Sequence, residues 1–272
     1  MNRSVDRDRA VFAPPPAMVE TGDMATVRAL LRPAEQGAAE RVETMVHLIR
    51  PGVRCATENR ARHVSHGDNL FEIVVGTEGF IPLWADGVTL RWRFQEASFQ
   101  LYADPVGLKA AVQTFFAKAI LAWGDAAPIK FVYQPDGWDF EIVMRNVDDC
   151  DPAGCVLASA FFPDAGQHQL VLYPKLFDQD EAEVVETLIH ETGHIFGLRH
   201  FFALERETAW PAEVYGEHEA FSIMNYGDAS KLTDADKRDL ATLYREARAG
   251  RLKKINATPI RLVKPFHISG HS

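Results

Sequence analysis

The feature that most constrains this 272-residue chain is HETGHIFGLRHF, residues 190–201. His190 and His194 are four residues apart, slightly more than one helical turn, so on a helix their imidazoles lie on the same face. His200 follows six residues later, and a continuing helix would carry it away from the other two. Gly197 can take the left-handed conformation that ends a helix and turns the chain back. The sequence therefore predicts a helix that ends at Gly197 and three imidazoles that converge.

Three converging imidazoles are typical of a catalytic zinc site. Such a site has three protein ligands, with neutral imidazole nitrogens at about 2.0–2.1 Å, and keeps its fourth position for water. We therefore predict that His190, His194 and His200 are the ligands of one zinc ion. Glu191 directly follows the first ligand, so its carboxylate lies within reach of the metal-bound water and is the predicted general base. Three ordinary histidines are the alternative, but these five fixed positions arise by chance in roughly one of ten thousand such chains.

The order of the predicted elements indicates the α/β (α+β) class. Leu90, Trp92 and Phe94 alternate with polar residues, as in a half-buried strand. Asp104 can cap a helix that follows over residues 105–123. The other predicted strands cover residues 129–134, 139–145, 157–162 and 169–173, and the other predicted helices cover 38–49, 178 to the histidine motif, and 233–250. We expect helices packed on one mixed, twisted sheet, among them an active-site helix and a C-terminal helix.

The histidine motif and a second motif, SIMNYG (residues 222–227), resemble the metzincin clan of zinc endopeptidases, with its matrixin and astacin branches. The resemblance implies a metzincin-like zincin fold. It also implies that Met224 lies beneath the metal in a Met-turn, and that Tyr226 binds the metal or donates a hydrogen bond to the oxyanion. Gly197 and Met224 are thus expected as structural supports, and Glu191 and Tyr226 as catalytic residues.

The same resemblance implies where a substrate binds. In this clan a strand beside the cleft pairs with an extended peptide through main-chain hydrogen bonds, and LASAFF (157–162) is the matching segment. Ala158, Ser159 and Ala160 are therefore the expected substrate-binding residues.

The resemblance also divides the chain. We expect an N-terminal extension over residues 1–78, partly disordered or similar to a pro-segment, and a metzincin-like catalytic domain over residues 79–250. A C-terminal tail over residues 251–272 follows.

The cysteines leave two questions open. Cys150 and Cys155 bracket the loop CDPAGC, and a small disulfide and two free thiols are equally good interpretations. Cys55 lies in PGVRCATEN, whose Arg-Cys pair resembles the pro-segment cysteine that occupies the fourth zinc position in some matrixins. The rest of that motif is missing, and the sequence favours an inert, buried thiol.

Composition limits the partners. A formal net charge of -9 argues against a nucleic-acid partner, and no uninterrupted apolar run approaches the roughly 20 residues of a membrane span. The N-terminal residues lack the apolar stretch of a secretory signal, so the compartment is open, although the resemblance favours export. We expect a monomer that acts on a protein or peptide.

These observations predict a zinc-dependent endopeptidase with one catalytic zinc ion and Glu191 as the base. Calcium remains open as a second ion, without support from any pattern. The alternatives are a zinc-stabilised binding module without turnover and a hydrolase of a non-peptide amide, for which the same chemistry would serve.

Overall fold

The described residues form a mixed α/β fold, as the order of the elements predicts. The computed structural model describes residues 23–34, 47–50, 52–55, 57, 80–152, 154–199, 222–224, 230–255 and 258–269. The strands are β1 (His47–Arg50), β2 (Gly52–Cys55), β3 (Ile81–Trp84), β4 (Thr89–Phe94), β5 (Lys130–Tyr133), β6 (Phe140–Met144), β7 (Asp149–Asp151), β8 (Gly154–Val156), β9 (Ala158–Ser159), β10 (His168–Leu172), β11 (Lys254–Ile255) and β12 (Thr258–Val263). The helices are α1 (Met24–Leu30), α2 (Glu96–Phe99), α3 (Pro105–Trp123), α4 (Glu181–Ile195), α5 (Asp234–Arg248) and α6 (Phe266–Ser269), with short 3-10 helices at Gly124–Ala126 and Pro174–Asp178.

A five-stranded sheet in the order β5-β4-β6-β10-β9 forms the centre of the fold. The pairs β5–β4, β4–β6 and β6–β10 are parallel, whereas β9 pairs with β10 in the antiparallel direction at the end of the sheet. In β4 the predicted alternation is confirmed, because Leu90, Trp92 and Phe94 are buried and the residues between them are partly exposed. Every residue of β6 is buried, as in a strand covered on both faces.

Helix α3 is the long core helix beside this sheet. It begins as predicted, with Pro105 in its first turn and the Asp104 side chain accepting a hydrogen bond from the Gly107 N–H. By length and composition the segment Pro105–Ala126 is long and apolar enough to cross a membrane, but 56% of its most apolar window is buried in the fold. Its apolar side chains pack along α4 and the sheet, which accounts for their composition.

Helix α4 carries the histidine motif and is closed at its start by a capping box. The Asp180 side chain accepts a hydrogen bond from the Glu183 N–H, and the Glu183 side chain accepts one from the Asp180 N–H. Glu181 and Glu183 lie in the first turn, where negative charge is favourable. The helix therefore begins three residues later than predicted, because Asp180 is the capping residue.

The C-terminal end of α4 is held by α5 and β3. The Trp84 indole N–H donates to the Ile195 carbonyl at 2.7 Å, and the Tyr244 hydroxyl donates to the Phe196 carbonyl at 2.8 Å. The Tyr244 oxygen also accepts from the Trp84 main-chain N–H at 3.2 Å. Because the last carbonyls of a helix have no partner within it, these bonds satisfy groups that would otherwise be buried without one.

The N-terminal extension contributes two strands to a second sheet. β1 and β2 form an antiparallel hairpin, and β2 pairs in parallel with β8 to give the order β1-β2-β8-β7. The predicted helix over 38–49 is wrong at residues 47–49, which belong to β1. In the neighbouring hairpin, Cys150 and Cys155 lie opposite each other across β7 and β8 and form a disulfide.

Parts of both terminal regions pack against the domain between them. In the N-terminal region, the Arg28 guanidinium of α1 donates to the carbonyls of Phe177 and Asp178. In the C-terminal region, β12 pairs in parallel with β3, and His267 of α6 lies 2.8 Å from the buried carboxylate of Asp139. The division at residues 78 and 250 stays a prediction.

A first prediction concerns the buttress at the end of α4. Tyr244→Phe removes the donor to the Phe196 carbonyl and the acceptor of the Trp84 N–H, and both remaining groups are buried. We expect the free energy of unfolding to fall by about 1–3 kcal/mol, since buried groups without partners are costly. Urea unfolding measures the change. Tyr133→Phe is the matched control, because its partly exposed ring packs on Trp92, and an equal loss in both variants would contradict the prediction.

Candidate active site

The two helical histidines of the motif are oriented by main-chain carbonyls. His190 Nδ1 lies 2.8 Å from the Ile223 carbonyl oxygen, and His194 Nδ1 lies 2.8 Å from the Leu198 carbonyl oxygen. A carbonyl only accepts, so each ring donates from Nδ1, and the neutral form of such a ring carries its lone pair on Nε2. Both residues are buried, with 2% and 0% of their surface exposed. This is the tautomer that a metal-binding imidazole requires.

The helix ends at Gly197 in the predicted way. Gly197 has a φ of 90°, its N–H donates to the His194 carbonyl, and the Leu198 N–H donates to the Gly193 carbonyl. These two bonds form a Schellman motif. A Cβ atom at Gly197 would also lie 3.0 Å from the Pro82 carbonyl oxygen, so a side chain is excluded there by space as well as by φ. The turn places the Leu198 carbonyl against His194.

The donor atoms fit a zinc ion. His190 Nε2 and His194 Nε2 are 3.2 Å apart, and the Cys55 Sγ lies 3.5 Å from His194 Nε2. Tetrahedral zinc with ordinary bond lengths separates two nitrogens by about 3.3 Å and a nitrogen from a sulfur by about 3.6 Å. Among the described residues, Cys55, His190 and His194 form the one group of three donors close enough to hold a metal. The distances thus match a shared ion.

The side chain of Cys55 is fully buried, as the sequence favoured, but it has contacts that the sequence did not predict. It lies against the ring of His194 and the carboxylate of Glu191. The Arg-Cys pair was the available signal. The contact itself depends on the pairing of β2 with β8, 102 residues later in the chain.

Glu191 is buried beside the two histidines, with 1% of its surface exposed. Its Oε2 accepts a hydrogen bond from the Thr57 hydroxyl at 2.6 Å, and its Oε1 lies 3.6 Å from the Cys55 Sγ. Burial raises the pKa of the Glu191 carboxyl, while His190 and the hydrogen bonds from the N-terminal segment act in the opposite direction. Thr57 was not predicted from the sequence, where a threonine two residues after a cysteine carries no signal.

Met224 packs closely against a glycine of the helix that carries the two histidines. A Cβ atom at Gly193 would lie 2.6 Å from the Met224 Sδ, so only glycine lets the methionine approach α4 this closely. The Ser222 hydroxyl donates to Asp236 of α5 at 2.5 Å and accepts from the Met224 N–H at 3.2 Å. The same short segment supplies the Ile223 carbonyl to His190. The turn and the first ligand are therefore placed together.

The expected substrate strand lies beside this site. Ala158 and Ser159 form β9, and the Ala160 N–H donates to the Thr57 hydroxyl at 2.8 Å. Ser159 is fully buried, and its hydroxyl has no hydrogen-bond partner within the described part of the chain. Substrate binding by this strand stays a prediction.

Two expected site residues, His200 and Tyr226, lie outside the described residues. Their roles as third ligand and as oxyanion partner stay predictions.

The sequence of this chain is similar to those of known metalloproteases. A family model described as Matrixin matches residues 91–244. Stromelysin-3 of Homo sapiens is 26% identical over 122 residues, which are 40% of this chain and 25% of that protein. The chain thus spans about a quarter of the length of this curated relative. The family match confirms the resemblance to the metzincin clan.

Solved structures similar to the chain include two of myroilysin. The first is 16% identical and covers 60% of this chain and 95% of its own, with a TM-score of 0.39. The second is 15% identical and covers 61% of this chain and 91% of its own, with a TM-score of 0.41. A third is high choriolytic enzyme 1, a hatching enzyme zinc-protease from Oryzias latipes, at 13% identity, covering 60% of this chain and 94% of that one, with a TM-score of 0.38.

A second prediction tests the contact between Gly193 and Met224. Glycine to alanine inside a helix normally stabilises by roughly 0.5–1 kcal/mol. Gly193→Ala should do the opposite, and should weaken zinc binding, because the new methyl group collides with the Met224 Sδ. Thermal unfolding and zinc titration measure both effects. Adding Met224→Ala should recover part of the loss, and strictly additive losses in the double variant would contradict the contact.

Proposed function

The chain belongs to the matrixin family, whose model matches more than half of it, and on that premise we propose that it is a zinc-dependent endopeptidase. The observation that carries the proposal is the convergence of His190 Nε2 and His194 Nε2 beside the carboxylate of Glu191. His200 is the proposed third ligand, and a chain reversal at Gly197 would allow it to reach the other two. A bound zinc ion supplies a water of lowered pKa and polarises the carbonyl of the scissile bond.

The side chains of the protein perform the proton transfers in this proposal. Glu191 accepts a proton from the attacking water and passes it to the leaving amine. Its burial suits this role, since the carboxylate is not surrounded by bulk water and its pKa is raised. Tyr226 donates a hydrogen bond to the oxyanion. The strand at residues 157–160 binds an extended peptide through main-chain groups, and side-chain pockets select the sequence.

The contacts of Cys55 support a latent form. The thiol lies close enough to His190 and His194 to share a metal ion with them, 3.5 Å from His194 Nε2. If the sulfur bound such an ion in place of water, no water could be activated at that position. We therefore include in the proposal that the N-terminal segment inhibits the enzyme and that its removal activates it. The substrate is a protein or peptide, and a monomeric enzyme without nucleic-acid or membrane partners remains the simplest form.

A third prediction tests the base in the activated chain. Glu191→Ala should keep zinc, because the ligands are unchanged, and should lower the cleavage rate of a quenched peptide at least about 100-fold, the lower range for loss of a general base. Elemental analysis measures the metal. Glu186→Ala is the control, since this partly exposed glutamate of the same helix pairs with Lys231 and should keep full activity.

The same assay separates the candidate functions. A chelator should abolish cleavage, and added zinc should restore it. Full activity of Glu191→Ala would contradict the mechanism. A wild-type chain that binds stoichiometric zinc and cleaves no peptide after activation would instead be a zinc-stabilised binding module.

A fourth prediction concerns Cys55. A specific protease site placed between residues 60 and 79 allows the N-terminal segment to be cut off, and peptide cleavage should then rise at least about tenfold. With cobalt in place of zinc, the uncut chain should show a thiolate-to-metal charge-transfer band that Cys55→Ser lacks. Cys150 and Cys155 are joined in a disulfide, so a thiolate band can come only from Cys55. A band that persists in Cys55→Ser would contradict the assignment.

A further inference from the structure

Among the described residues of the N-terminal segment, Thr57 makes two polar contacts with the candidate active site. Its side chain is fully buried. The hydroxyl donates to Glu191 Oε2 at 2.6 Å and accepts from the Ala160 N–H at 2.8 Å. A hydroxyl has one proton to donate, a carboxylate accepts, and a main-chain N–H can only donate. The direction of both bonds is therefore fixed by chemistry. The Thr57 hydroxyl gives a hydrogen-bond partner both to the Glu191 carboxylate and to the Ala160 N–H.

The two groups that Thr57 occupies are the two that a substrate would need. This step rests on the proposed function, in which Glu191 is the base and the strand at residues 157–160 binds the peptide. A substrate main chain that pairs with this strand would offer a carbonyl to the Ala160 N–H, where the Thr57 oxygen now lies. One small side chain thus blocks proton transfer and peptide binding together.

Thr57 lies three residues beyond the end of the pairing between β2 and β8. β2 runs parallel to β8, with Gly52 opposite Gly154 and Arg54 opposite Val156. Thr57 then contacts Ala160 through its side-chain hydroxyl. Beyond the last residue pair of β2, the hydroxyl supplies the hydrogen bond that the main chain of a strand would otherwise make.

The contacts of Thr57 and Cys55 involve different atoms. Cys55 Sγ lies near Glu191 Oε1 and His194 Nε2, whereas Thr57 binds Glu191 Oε2 and the Ala160 N–H. A substitution that removes only the thiol would therefore delete neither of the two hydrogen bonds of Thr57. We propose that Thr57 is a second latch of the N-terminal segment, which holds the general base and the substrate-binding strand independently of the cysteine.

The latch can be measured without any substrate, through the reactivity of Cys55. It is the one cysteine of the chain outside the disulfide, so an alkylating reagent reports on residue 55 alone. In the zinc-loaded full chain, Thr57→Val keeps the shape of the side chain and removes the hydroxyl. Loss of a hydrogen bond to a buried carboxylate should raise the iodoacetamide labelling rate about 10- to 100-fold.

Three further variants make the measurement specific. Thr57→Ser keeps the hydroxyl and should label within about threefold of the wild-type rate. Thr57→Ala removes the hydroxyl without adding bulk and should behave like Thr57→Val. If one of these two variants does not fold, the other still tests the loss of the hydroxyl. Thr114→Val is the matched control, because it makes the same chemical change at another buried threonine, on α3. It should label at the wild-type rate.

Each labelling result either supports or overturns the role of Thr57. Fast labelling in both variants without a hydroxyl, with slow labelling in Thr57→Ser, supports the latch whether or not any peptide is cleaved. Wild-type labelling rates in Thr57→Val and Thr57→Ala overturn it, as does Thr57→Ser labelling as fast as they do. Peptide cleavage by the uncut chain is the second readout, and it should rise in the same order. If no variant cleaves peptide even after the N-terminal segment is removed, the proposed function fails while the labelling result still decides the role of Thr57.

Discussion

Two hydrogen bonds from imidazole Nδ1 atoms to main-chain carbonyls determine the geometry on which the rest of the site depends. They fix the tautomers of His190 and His194 and aim both Nε2 atoms at one point, 3.2 Å apart. One acceptor belongs to the turn that ends α4, and the other belongs to the segment that contains Met224. The two imidazoles are thus oriented by backbone that is itself held on both sides, an arrangement that suits metal ligands.

The supports around α4 come from distant parts of the chain. Trp84 of β3 and Tyr244 of α5 bind the last carbonyls of the helix, and Asp236 of α5 holds Ser222 next to Met224. Gly193 allows the methionine sulfur to approach. Because these contacts satisfy buried polar groups as well as fill space, they connect the stability of the fold to the position of the ligands.

Much of the site could be predicted from the sequence because the signals are local. The spacing of His190 and His194 and the glycine at 197 act within two helical turns, and the cap at Asp104 acts within three residues. The errors are non-local. Residues 47–49 have a helical pattern but form a strand, since β2 pairs with β8 about 100 residues away. Thr57 and Cys55 reach the active site through that same pairing, which no local periodicity encodes.

The disulfide between Cys150 and Cys155 has a chemical consequence for the remaining cysteine. An accessible thiol can be converted by an oxidant to sulfenic acid, or by exchange with a disulfide to a mixed disulfide. Complete burial keeps such reagents away from Cys55. The rate at which they modify residue 55 would therefore report how often the segment that carries it separates from the rest of the protein.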